Sequence, residues 1–90
     1  MNPPEFDFER HQAELQMTLL ADSLGVLAAA CQSKAMAEID VAIAEINLTG
    51  ANSIEAQHAA LDEYVVAQSG LTRSIWQTRR AWSAFARLPL

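Results

Sequence analysis

Two stretches of this chain place metal-ligating side chains at helical spacing. Glu55-x-x-His58 puts a carboxylate and an imidazole on one helix face, and Asp62 follows one turn later. Four-helix di-metal proteins of the ferritin-like type use that pattern in pairs. Asp7, His11 and Glu14 share a second helical face. Only one Glu-x-x-His occurs, so a complete site would need a second copy of the chain. The long apolar stripe of the N-terminal half also carries no carboxylate. A ferritin-like metal-binding protein is therefore an alternative reading, and the first expectation is no metal and no other cofactor.

Cys31 is the single cysteine, with Lys34 one helical turn away. A nucleophilic thiolate needs a cation close by to depress its pKa. One lysine on a flexible stem is thin support, and Cys31 reads as a small buried hydrophobe on the apolar stripe. A glycine-rich phosphate loop, a Cys-x-x-Cys pair and a nucleophile elbow are all missing from the sequence. The expectation is that the chain is not an enzyme.

The basic residues point outward instead. Arg73, Arg79, Arg80 and Arg87 lie in the last twenty positions, with Trp76, Trp82 and Phe85 among them. All eleven Asp and Glu lie in residues 1–70, which hold only Arg10 and Lys34 as counter-charges. The body therefore carries −9 and the tail +4, which together make the net −5. Segregated charge of this kind reports on binding rather than on fold. Arg73, Arg80 and Arg87 recur every seventh residue, so on a helix they form a ladder. Trp76 stands beside it, and Trp and Arg dominate interface hot spots.

The elements that must carry these side chains read as helices. Asn2 with Glu5, or Asp7, can cap the first one. Met17, Leu20, Leu24, Leu27, Cys31, Ala35, Ile39, Ile43 and Ile46 recur at spacings of three and four. This predicts one long helix over 8–47, with Gly25 or Ser33 as places where it could bend. Residues 39–46 also alternate in part, as a strand would, although their Ala and Glu content favours helix. Thr49-Gly50-Ala51 reads as a stop, and Asn52 or Ser53 as a cap. A second helix over 53–69 would carry Ile54, His58, Leu61 and Val65 on its stripe, with Gly70 ending it. Thr72 would cap a third helix over 72–87, with Pro89 closing the chain. There Leu71, Ile75, Thr78, Trp82 and Phe85 form a 4-3-4-3 seam facing away from the arginine ladder.

The run Ala67-Gln68-Ser69-Gly70-Leu71-Thr72-Arg73-Ser74 resembles the turn region of repressor-type helix-turn-helix domains. That resemblance implies a DNA-binding regulator reading with helix 72–87, where Gln77, Arg79 and Arg80 would face the bases. The acidic body opposes phosphate contact, so this stays the second reading.

The fold expected is all-α. It is a single domain over 1–90 in which one long helix packs on a two-helix hairpin. Ninety residues with 51% hydrophobic content support one small core. Much of that content is Ala, which favours close helix–helix assembly between chains, and a homodimer is expected. The acidic N-terminus lacks the cations of a secretory signal. The longest apolar run, Leu24–Cys31, is short for a membrane span. A cytoplasmic protein away from membranes follows. The function expected is a small interaction protein: an adaptor, chaperone, antitoxin-like neutraliser or inhibitor that docks helix faces on a protein partner. Arg73, Trp76, Arg80, Arg87, Leu20, Leu24 and Leu27 are the candidate contact residues.

Overall fold

The computed structural model describes residues 7–88, so the Asn2 cap and Pro89 lie outside the described residues. Two helices account for nearly all of them: α1 (Phe8–Gly50) and α2 (Ile54–Ala86), joined by a three-residue turn. Asp7 caps α1, its Oδ1 accepting from the Arg10 N–H at 3.0 Å. At the far end Ala51 leaves the helix in an extended conformation, its N–H donating to the Leu48 carbonyl at 3.3 Å. Ser53 then caps α2, its Oγ accepting from the Ala56 N–H at 3.1 Å. The chain is thus an antiparallel helical hairpin.

The three-helix expectation is corrected. α2 runs unbroken through Gly70 and Thr72, and no residue described has a positive φ. A glycine that ends a helix takes the left-handed conformation; Gly70 keeps the ordinary one. A lone glycine costs a helix interior about 1 kcal/mol, and the packing that continues on both sides of Gly70 offsets it. α1 likewise passes through Gly25 and Ser33 without a break. Residues 39–46 are helix, with Val41 and Ala44 buried.

The seam follows a strict heptad on both helices. On α1 the half-buried and buried positions are Gln16, Leu20, Ser23, Leu27, Ala30, Lys34, Ala37, Val41, Ala44 and Leu48. On α2 they include Ala60, Tyr64, Ala67, Leu71, Ser74, Thr78, Ala81 and Phe85, with Leu88 just past its end. Both sets step by four and three, the repeat that keeps one stripe facing a partner helix. Thr78 Oγ1 lies 3.3 Å from the Ala30 carbonyl oxygen across the seam. In that register Leu27 stands opposite Ala81, Val41 opposite Ala67, Leu48 opposite Ala60, Ala37 opposite Leu71 and Ala44 opposite Tyr64. Each of these layers sets a large residue against a small one, the alternation that lets facing helices interdigitate.

The apolar stripe expected on α1 is not this seam. Leu20 and Leu27 belong to it. Met17, Leu24, Cys31, Ile39, Ile43 and Ile46 are exposed, Ile46 by 70%. The reason is geometric. From Leu27 through Cys31, Ala35 and Ile39 to Ile43 the expected stripe steps by four each time. Each such step overshoots a full turn by about 40°, so the stripe winds to the far side of the helix.

The hairpin is long and thin, 85 × 19 × 12 Å, with a radius of gyration of 22.3 Å. A compact domain of this length would have about 12 Å. It exposes 7,266 Å², against about 5,200 Å² for a compact monomer of its mass.

Candidate functional site

The seam divides the hairpin's surface into two sides. Residues one position before each large seam residue of α1 (Val26, Ser33, Asp40, Asn47) share a side with Glu63, Gly70, Gln77 and Ala84 of α2. Along this side runs a shallow groove. Small seam residues line its floor: Ala30, Ala37 and Ala44 from α1, and Ala60, Ala67, Ser74 and Ala81 from α2. Val26, Met36 and Ile43 form its α1 rim, and Val66, Arg73 and Arg80 its α2 rim. The small side chains that let the helices approach also leave this channel unfilled.

Charge along the groove changes sign. Its loop half carries Asp40, Asp62 and Glu63. Its open half carries Arg73 and Arg80, with Arg87 two turns further on and one carboxylate, Asp22, at the open end. The salt bridges among the described residues, Arg10–Glu14 at 3.4 Å and Lys34–Glu38 at 3.7 Å, both lie within α1. The three arginines of the ladder are therefore exposed and make no ion pair with another described residue.

The opposite side is built differently. Leu24 of α1 and Trp82 of α2 flank the seam near the open end, both about half exposed. Phe85 meets Trp82 edge to face, with ring centroids 6.1 Å apart. Trp76 is also exposed, and the Arg79 guanidinium carbon sits 5.4 Å from its ring centroid. Such a pair is worth about 0.5–1 kcal/mol at an exposed site. Trp76 thus partners Arg79 and, three residues after Arg73 and four before Arg80 on one continuous helix, stands beside the 73/80/87 ladder. Leu61 and Val65, nearer the loop, are exposed as well.

The remaining candidates separate. Leu27 is 7% exposed and Leu20 half-buried, so their side chains serve the seam, whereas Leu24 is open. Cys31, expected buried, is exposed. Among the described residues no three His, Cys, Asp or Glu side chains converge as a metal ion would require. Residues 67–74 are continuous helix, so the helix-turn-helix resemblance has no turn to rest on. α1 holds an 18-residue window of mean hydropathy 1.2, long and apolar enough by length and composition to cross a membrane. Core helices of soluble proteins meet the same test. No family model, no curated protein and no solved structure matches this chain.

Much of the seam is inconspicuous in the sequence because nearly half of it is Ala and Ser. The signal was present: Ala30, Ala37 and Ala44 recur every seventh residue, as do Ala60, Ala67, Ser74 and Ala81.

Proposed function

We propose that this chain is a small, non-catalytic interaction protein that docks helix faces onto a protein partner, as an adaptor, chaperone, neutraliser or inhibitor does. The observation that carries this reading is the large apolar surface left open outside the seam. Leu24, Val26, Ile39, Ile43 and Ile46 on α1, and Leu61, Val65, Trp76 and Trp82 on α2, are all about half exposed or more. α1 presents apolar side chains around its whole circumference. A helix of that kind is ordinarily covered on more than one side, and α2 covers one. Soluble monomers seldom leave extended apolar surface open unless it binds something.

The partner face is the side away from the groove, with Leu24 and Trp82 as anchors and the Trp76–Arg79 pair along the outer edge of α2. Trp and Arg there bring large contact area with polar edges, the combination that concentrates binding energy at interfaces. The chemistry-bearing residues are dispersed along the hairpin, which supports binding over catalysis. A cytoplasmic setting is part of the proposal.

The test is affinity capture from the native cells with cross-linking and mass spectrometry, run beside the Trp76→Ala/Trp82→Ala variant matched for helix content. A specific protein should be retained by the natural chain and lost by at least about tenfold with the variant. Equal retention by both chains, or no retained protein, sinks the reading.

A further inference from the structure

We infer that the outer face of α2, the side turned away from α1, pairs with the same face of a second copy, antiparallel about a two-fold axis at Leu71. This surface leaves Leu24 and Trp82 to the heterologous partner, so the inference goes beyond that reading.

Two residues past any seam position a helix has turned by about 200° and points away from its mate. On α2 the residues at those places are all exposed, and they step by four and three from Glu55 to Arg87. That is the repeat of a second seam. Its charges divide by end. Glu55 and Asp62 lie before Leu71, and Arg73, Arg80 and Arg87 after it. None of these five makes an ion pair with another described residue. The two large apolar side chains on the strip, Val66 and Trp76, are 71% and 56% exposed, so the hairpin leaves both open.

One two-fold axis matches all of these features. In an antiparallel pair centred on Leu71, residues equally far before and after it face each other across the two copies. Glu55 then meets Arg87 of the second copy, and Asp62 meets Arg80. Val66 meets Trp76. Each pairing occurs twice, as an isologous interface requires. Ala59 meets Ser83 and Ser69 meets Arg73, so no layer of the strip sets like charges together.

The pattern selects both orientation and occupant. A parallel two-fold would set Arg73, Arg80 and Arg87 each on its own mate, and Glu55 and Asp62 likewise. Sliding the antiparallel pair by one heptad takes Trp76 off Val66 and carries Arg87 or Glu55 past the end of the other helix. An acidic surface laid along the strip would meet Glu55 and Asp62 as well as the arginines. A second copy supplies carboxylates only where the arginines are. The α1 carboxylates, Asp22 among them, lie on the other helix and outside this contact.

The experiment is light scattering on the whole chain, with charge swaps and cysteine cross-linking. The natural chain should have twice the 9.8 kDa mass of one copy. Asp62→Arg and Arg80→Asp each set like charges together at two places, and each should weaken self-association by about tenfold or more. Mixing the two variants restores opposite charges at both places. The mixture should therefore dimerise as the natural chain does, which a folding defect would not allow. In a Cys31→Ser background, Ala59→Cys mixed with Ser83→Cys should form a disulfide-linked pair on mild oxidation, because the two positions come within the reach of about 7 Å between Cα atoms. Either cysteine variant alone should stay unlinked, because like positions stand about 36 Å apart. Five outcomes would each overturn the inference: a monomeric natural chain, swap variants that associate as the natural chain does, a mixture that stays dissociated, no linked pair in the cysteine mixture, or linking by one cysteine variant alone. A monomer that still captures a protein, and loses it with Trp82→Ala, fails this inference alone. A dimer that meets these tests and captures nothing fails the partner reading alone.

Discussion

Thr78 and Ala30 fix how the two helices lie against each other. The Thr78 hydroxyl sits 2.8 Å from the Ser74 carbonyl of its own helix and 3.3 Å from the Ala30 carbonyl of the other. Its single hydrogen is shared between an ordinary back-bond and a contact across the seam. A threonine at this layer works only because its opposite number has no side chain beyond Cβ. The small-against-large rule of the seam is thus visible in one polar contact.

Thr78→Val keeps the shape and removes the hydroxyl. Both acceptors are helix carbonyls already engaged with backbone donors, so the loss should be small, under about 1 kcal/mol in urea unfolding. Ala44→Leu adds bulk at a position only 4% exposed, opposite Tyr64. It should cost about 1–3 kcal/mol through overpacking. A loss for Thr78→Val that exceeds the loss for Ala44→Leu would mean that hydrogen bonding, not close packing, holds the seam.

Gly70→Ala separates the two-helix fold from the three-helix one by sign. A Cβ built at Gly70 meets nothing within 4 Å, and the residue has ordinary helical backbone. Replacing it should stabilise the hairpin by roughly 0.5–1 kcal/mol, by helix propensity and a less free unfolded chain. If Gly70 instead ended a helix in the left-handed conformation, Ala would destabilise. Thermal unfolding at fixed protein concentration reads the sign.

That contrast marks what the sequence yields. The all-α class, the start of α1 near Asp7, and the turn with its Ser53 cap are legible from periodicity and capping residues. The breaks expected at Gly70 and Thr72 are not made, because a local stop signal is weaker than a seam continuing through Leu71, Ser74 and Thr78. Large side chains also mislead about which face is inside. Trp82, Ile39 and Ile43 catch the eye, yet Ala44, Ala60, Ser74 and Ala81 are buried beside Leu27 and Val41. From sequence alone large residues on an open face are indistinguishable from core.

The two helix caps should differ in weight although their geometry is alike. Ser53→Ala removes the Oγ acceptor for the Ala56 N–H at the turn that both helices share. It should cost about 1 kcal/mol of global stability. Asp7→Ala removes the matching bond to the Arg10 N–H. Residues 8–15 are all exposed, however, because α1 outlasts α2 at the open end. Its loss should appear as local fraying, read as faster amide exchange in the first two turns, with the unfolding midpoint almost unchanged.

Lys34 tests whether the middle of the seam is built for strength or for selectivity. It occupies a seam position where Leu20, Leu27, Val41 and Leu48 stand in the other heptads, and its register partner is the buried Ser74. Its ammonium escapes sideways to Glu38 at 3.7 Å, with the side chain 40% exposed. An exposed pair of this kind adds little stability. Replacing a polar residue at a single such position usually strengthens a coiled coil and loosens its control of register and copy number. Lys34→Leu should therefore raise the thermal midpoint, by an amount on the order of 1 kcal/mol, while broadening the mass distribution seen by light scattering. A variant that is both more stable and just as uniform would show that register is held elsewhere, by the alternation of small and large layers alone. A variant that is less stable would show that the Lys34 stem already fills its layer as well as Leu can.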